Sequence, residues 1–153
     1  MELIELNRTF LGRLSEQLSE LIEQQSAEVF KRAGLVVPVK SSSLLVAIAR
    51  LGPVSVAELV RSLDRSHQLI QQKIPKLVTL GLVSRRPDPD DQRVMLIEIT
   101  DKGRQQLALL DELAPEFDRA YAEIEEATGP VFEAIKCAIA ALKSRPLVDR
   151  MVV

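Results

Sequence analysis

The sequence predicts a mostly α fold, a winged helix-turn-helix lobe with a two-stranded β wing plus a helical dimerisation lobe. Three observations carry that expectation. Residues 82–103 hold two short apolar runs around a charged tip broken by Pro87 and Pro89. The stretch directly before them reads as two short helices joined by a tight turn. The ends of the chain carry apolar residues at helical spacing.

From the N-terminus, a long helix is expected over roughly residues 3–32, with Leu14, Leu18, Leu21 and Val29 near one face and Gly34 as its C-terminal cap. A second helix near 41–51 begins with serines, carries Leu44, Leu45, Ile48 and Leu51, and closes at Gly52-Pro53. Ser55-Val56-Ala57-Glu58 has the spacing of a capping box, in which hydroxyl and carboxylate satisfy the orphan amides of a helix start. Leu59 and Leu63 then face inward, and Asp64-Arg65 makes the turn.

Ser66 is placed to cap the next helix, whose stripe of Ile70, Ile74 and Leu77 packs inward. By position this is the recognition helix. On a helical wheel Gln68, Gln72, Lys76 and Thr79 lie opposite the stripe, with His67 and Gln71 at the flanks. A glutamine amide both donates to and accepts from an adenine edge, and a good pair discriminates by about 1–3 kcal/mol. Glutamines are also simply good exposed helix formers, and that reading stands for any single one. Pro75 interrupts the pattern at a cost on the order of 3 kcal/mol, so a kink or an early taper is expected there.

In the hairpin, Met95, Ile97 and Ile99 alternate with Val94, Leu96 and Glu98, the period of a strand, whereas Pro87, Asp88, Pro89 and Asp90 cannot continue a ladder. The tip therefore projects into solvent. There Arg93 stands two residues from Asp91, an arrangement that suits a cation entering a narrow, electronegative minor groove in one orientation. Arg86, on the same hairpin, joins the candidate DNA contacts.

Asp91, Arg93, Ile99, Thr100 and Gly103 follow the spacing Asp-x-Arg-x5-Leu/Ile-Thr-x2-Gly, which resembles the wing signature of MarR-type bacterial transcriptional regulators. The order of elements resembles that family over nearly the whole chain. The resemblance implies a homodimeric DNA-binding repressor or activator, often relieved by a small ligand held between the dimerisation and DNA-binding lobes. Gln92 stands where the family often carries a further arginine. The cysteine that its redox-sensing branch bears near the first helix is missing.

Beyond the wing, Thr100 can cap a helix whose Leu107, Leu110, Ala114, Phe117, Tyr121 and Ile124 recur in steps of three and four. That is a heptad-like seam, weakest at Ala114 and expected to bend at Pro115. Thr128-Gly129-Pro130 separates it from a last helix with Val131, Ile135, Ile139 and Leu142. These faces could close an intramolecular core, but they exceed what a small winged lobe needs, and the seam suits pairing between subunits. Cys137 lies opposite the last stripe and reads as an inert thiol.

Composition agrees. A chain of 153 residues with 46% hydrophobic content can bury one core. Neither a membrane-length apolar run nor a secretory leader pattern appears, so a cytoplasmic location is expected. With one cysteine and one histidine, no internal disulfide or all-His/Cys metal site is expected in a subunit. His67 lacks an apparent nucleophilic partner and no glycine-rich phosphate loop occurs, so neither an enzyme nor a cofactor is expected. The net charge of −2 divides unevenly: residues 61–104 hold nine Lys or Arg against six Asp or Glu, and the remainder eleven against sixteen. Positive charge thus sits with the motif.

The expectation is a bacterial regulator with a winged lobe at 35–103 and a dimerisation lobe at 1–34 and 104–153. As a homodimer it would bind double-stranded DNA at a pseudo-palindromic operator, respond as a repressor to a small-molecule effector of unknown identity, and have no membrane partner. Its DNA contacts are Ser66, His67, Gln68, Gln71, Gln72, Lys76, Arg86, Asp91 and Arg93. The rival is a dimeric interaction protein of the same fold that sequesters a protein or small ligand without specific DNA binding.

Overall fold

The computed structural model describes residues 7–152, so residues 3–6 of the expected first helix lie outside the described residues. The Asn7 side chain accepts a hydrogen bond from the Thr9 N–H at 2.9 Å, closing a short 3-10 turn over Arg8–Phe10. This local bond competes with the α-helical ladder, and α1 accordingly starts only at Leu11 and runs to Arg32 (Leu11–Arg32). It ends as expected. Gly34 takes φ +78° and the Leu35 N–H reaches back to the Phe30 carbonyl at 2.9 Å.

The remaining elements are α2 (Ser42–Leu51), β1 (Val54–Ser55), α3 (Val56–Leu63), α4 (His67–Thr79), β2 (Val83–Pro87), β3 (Met95–Ile99), α5 (Asp101–Thr128) and α6 (Val131–Ser144). The fold is thus mostly helical with a winged helix-turn-helix. Its core is enclosed by Leu45, Ile48, Leu59, Ile70, Ile74, Leu77, Leu82 and Ile97. Each such side chain contributes on the order of 1.5–3 kcal/mol by leaving water. Leu51, the last residue of α2, is exposed, whereas Leu44, Leu45 and Ile48 are buried.

The wing departs from the expected two strands. Its sheet has three antiparallel strands in the order β1-β3-β2, with Val54 opposite Ile97 and Val83 opposite Ile99. A strand of two residues is too short to show alternation, which is why the sequence pattern hides β1. Pro87 also stays in the ladder, opposite Met95. That is tolerated because β2 is an edge strand, where the missing N–H leaves no partner unsatisfied. One further bond, from the Asp88 N–H to the Val94 carbonyl at 2.8 Å, closes the ladder before the tip. Ile97 and Ile99 are buried while Met95, nearest the tip, is exposed.

Both helices that contain an internal proline continue through it. α4 continues past Pro75 to Thr79, with no early taper. Proline costs one bond there, but Ile74 and Leu77 on either side are buried and hold the segment helical. α5 likewise runs through Pro115.

The junction between wing and α5 is tightly built. The Thr100 hydroxyl donates to the Gly81 carbonyl at 2.6 Å and accepts from the Gly103 N–H at 3.1 Å, so it caps α5 as expected and ties it to the end of α4. Gln106, which sequence reasoning passed over, is buried one turn later. Its Oε1 accepts from the Val36 and Val37 amides at 2.6 and 3.2 Å, and its Nε2 donates to the Gly34 carbonyl at 3.3 Å. Gln106→Leu should therefore lower unfolding free energy by about 2–4 kcal/mol, because amides removed from water lose their acceptor. Urea titration at fixed protein concentration checks this, and a change within experimental scatter would refute the clamp.

By packing, the chain divides into one unit ending at Asp111 and a second beginning at Glu112. In the second, the Phe132 N–H donates to Glu125 Oε1 at 2.8 Å across the Gly129 turn, whose φ is +93°. Arg150 donates to the carbonyls of Ala141 and Arg145 at 2.7 and 2.8 Å, closing the end of α6. No described residue of this unit is buried.

Candidate nucleic-acid interface

The helix-turn-helix is set by local chemistry at both of its helix starts. The Ser55 N–H and hydroxyl donate to Glu58 Oε2 at 2.8 and 2.9 Å, and the Glu58 N–H donates back to Ser55 Oγ at 3.3 Å. The Ser55 backbone bond, followed by its hydroxyl, holds the Glu58 carboxyl below its usual range. Asp64 takes the left-handed conformation at φ +49°, reversing the chain in the expected turn. Ser66 Oγ then accepts from the Leu69 N–H at 3.2 Å and caps α4.

With Ile70, Ile74 and Leu77 buried, the opposite face of α4 is fixed outward. His67, Gln68, Gln71, Gln72, Lys76 and Thr79 are all exposed. Ser66 is exposed too, but its oxygen is already used as a cap, so what it offers outward is its O–H donor. Thr79 donates its hydroxyl to the Pro75 carbonyl at 3.0 Å, taking up an acceptor of its own last turn.

On the wing, Arg93 and Asp91 form a two-pronged pair. Arg93 Nε lies 3.0 Å from Asp91 Oδ1 and Nη2 lies 3.2 Å from Oδ2, while the Arg93 N–H also donates to Oδ1 at 3.1 Å. The side-chain bonds first, and then the backbone bond, hold the Asp91 carboxyl below the usual carboxylate range, and the side-chain bonds push the Arg93 guanidinium upward. A carboxyl so depressed stays ionised at pH values below its ordinary range, so the pair is present at neutral pH and is lost only as pH falls through that lowered value. Salt bridges at such exposure add little stability. Their use here is orientation: the Arg93 side chain is 90% exposed yet held in one direction. Arg86 is aimed differently, its Nε lying 3.4 Å from Glu98 Oε2 across the β2–β3 ladder.

The nine candidate residues thus fall into two groups, one on α4 and one on the wing, within a single packed unit. Sequence reasoning missed a third group on the flank of α4. Lys73 donates to the backbone carbonyl of Lys40, and Lys40 Nζ lies 2.5 Å from Glu23 Oε2 on α1. Arg65, Leu69 and Lys73 recur at a spacing of four and could have signalled this face.

Residues 37–94 match the sequence pattern of the MarR family. The chain carries a MarR-family module. MarR proteins are transcriptional regulators, not enzymes. A curated relative, the HTH-type transcriptional repressor NicR of Pseudomonas putida, is 35% identical over 71 residues, which is 46% of this chain and 43% of that protein. The chain therefore aligns with under half the length of that relative. Among solved structures, a mutant of MarR from E. coli complexed with operator DNA is similar with a TM-score of 0.63 and 18% identity, over 89% of this chain and 94% of that one. A MarR protein from Peptoclostridium difficile gives a TM-score of 0.66 at 18% identity, over 95% and 92% of the two chains. Those structures share the MarR winged helix-turn-helix fold with this chain. Inside the module match lie α4, β2 and the Asp91–Arg93 pair. The Thr100 cap and Gly103 lie beyond it.

Proposed function

We propose that this MarR-family chain is a cytoplasmic, homodimeric DNA-binding regulator, a repressor that releases a pseudo-palindromic operator in response to a small effector. The observation that carries the reading is the exposed amide-rich face of α4, fixed by three buried residues on its other side. In this reading α4 enters the major groove and Gln68, Gln71 and Gln72 meet base edges, with Ser66 and His67 at the helix start. Lys76 and Arg86 meet phosphates, and Arg93, steadied by Asp91, enters the flanking minor groove. The operator complex of the similar MarR structure and the repressor name of the Pseudomonas putida relative support this assignment. No described helix is long and apolar enough to cross a membrane.

Dimerisation is proposed through residues 1–34 and 104–153, with 35–103 as the DNA-binding lobe. Leu11, Leu14, Leu18 and Leu21 on α1, Ile124 on α5 and Ile135, Ile139 and Leu142 on α6 are all exposed, more apolar surface than a monomer in water ordinarily carries. Sedimentation should find a dimer at micromolar concentration. A well-folded monomer throughout that range would remove the dimer, and the inverted repeat with it.

Selection of bound DNA from a random pool tests the function itself. An enriched inverted repeat is the expected outcome, and no enrichment would favour the rival sequestering protein. Gln68→Ala with Gln72→Ala should relax base preference, whereas Lys76→Ala should weaken all DNA sequences and flatten the dependence on salt by about one counterion per contact. Unchanged discrimination between operator and scrambled DNA in the glutamine variant would show that α4 does not read bases.

A further inference from the structure

Pro75 breaks a local rule in the middle of α4. Proline is the residue a helix interior tolerates least, since it returns no N–H to the carbonyl one turn back, here that of Gln71, and its ring crowds that turn. Yet the residue is exposed, so the core gains nothing from it. The segment is held helical by its buried neighbours Ile74 and Leu77. Departures from local rules that bring the core no gain concentrate at functional sites.

The position of Pro75 says which function. Residues three or four apart share a helix face, and Pro75 lies four beyond Gln71, three beyond Gln72 and four before Thr79, all of them exposed. Its ring is therefore an apolar island on the amide-rich face. Thr79 extends that character: its hydroxyl proton goes to the Pro75 carbonyl at 3.0 Å, which leaves no side-chain donor there for a base. In the major groove, the apolar group that base edges present is the 5-methyl of thymine.

We propose that Pro75 reads thymine, its pyrrolidine ring resting against the 5-methyl group of a T·A pair beside the adenine that Gln71 or Gln72 engages. The inference rests on the DNA-reading role proposed for α4 and deepens it. Each half-site then holds neighbouring A·T pairs under the middle of α4, an amide meeting the adenine edge and the ring meeting the methyl group. A phosphate would be the wrong partner, because the ring has neither charge nor proton to give it.

The test uses the full chain and an inverted repeat selected from a random pool, with each thymine of the half-sites replaced in turn by deoxyuridine, which removes only the 5-methyl. At one thymine position the replacement should weaken binding in mobility shifts by about fourfold per half-site, the transfer value of a single methyl group. Pro75→Ser should bind the thymine and deoxyuridine duplexes equally. Pro75→Val should restore the preference, since it keeps an apolar group without the effect of the ring on the backbone. Both variants remove a helix breaker from an exposed position, so both should fold. The ratio is taken within each variant, so a shift of the helix axis that alters overall affinity cancels in it. Equal binding of the two duplexes by the parent overturns the proposal, as does a Pro75→Ser protein that keeps the parental ratio. A pool that yields no enriched repeat removes the operator reading of α4 itself, and this proposal with it, whereas the other two failures leave that reading standing.

Discussion

Gly103→Ala should destabilise the protein by about 3 kcal/mol. A Cβ at this position would stand 2.2 Å from the Leu82 carbonyl oxygen and 2.6 Å from Ile99 Cγ1. The first obstacle is backbone, which cannot rotate aside as a flexible side-chain end can. Relief requires lifting the first turn of α5 away from Leu82. That movement strains the Thr100 hydroxyl, which bonds both Gly81 and Gly103, and the Thr100 N–H, which donates to Leu82 at 3.0 Å. The thermal midpoint should fall by roughly 10 °C for a chain of this size. Gly12→Ala is the control, because nothing lies within 4 Å of its added methyl. There the higher helix propensity of alanine should add up to about 1 kcal/mol. Calorimetric scans of both variants decide the matter, and a Gly103→Ala midpoint equal to the parent's would refute the close-contact account.

Arg93→Ala should lower operator affinity by at least about tenfold per dimer while leaving the fold intact, since groove contacts are worth about 1–3 kcal/mol each and the exposed side chain is held by hydrogen bonds to Asp91. Its exposure means that truncation leaves neither cavity nor buried orphan. Asp91→Ala separates charge from orientation. It keeps the cation but frees it from the bonds at 3.0 and 3.2 Å, so operator affinity should fall less than in Arg93→Ala while discrimination against scrambled DNA narrows. Electrophoretic mobility shifts with both DNAs, together with a denaturation curve for each variant, read these effects. Parental affinity in folded Arg93→Ala would exclude the wing from DNA contact.

The sequence was most legible where a short-range pattern decides the structure. The capping box at Ser55 and Glu58, the caps at Ser66 and Thr100, and the stripe of Ile70, Ile74 and Leu77 each depend on neighbours within one or two turns, and all form. The Asp91–Arg93 pair was legible for the same reason. What stayed hidden is long-range or very short. β1 exists only because Val54 and Ser55 find β3, some forty residues on. Gln106 looks like an ordinary exposed polar residue of a helix until the Val36 and Val37 amides, 70 and 69 residues earlier, are brought to it. Pro75 misled in the other direction as far as an early taper was expected: local rules disfavour a helix at proline, but buried flanking residues at Ile74 and Leu77 hold α4 together. The Lys40–Lys73 contact likewise joins positions that no periodicity relates.

The absence of any buried residue from Glu112 onward among the described residues bears on how the protein comes into being. The unit ending at Asp111 encloses its own core and can collapse as a unimolecular event at a rate independent of how many copies are present. The terminal helices gain little from ordering alone, because the entropy lost is not offset by apolar surface leaving water. Under the dimer proposed above, that gain arrives only on encounter with a second chain, so maturation acquires a second-order step. A newly synthesised copy at low abundance would then dwell with α6 accessible to proteases, while copies made in quantity would find partners first. The cell's stock of the regulator would therefore rise more steeply than its rate of synthesis, a threshold written into the chain by where its core stops.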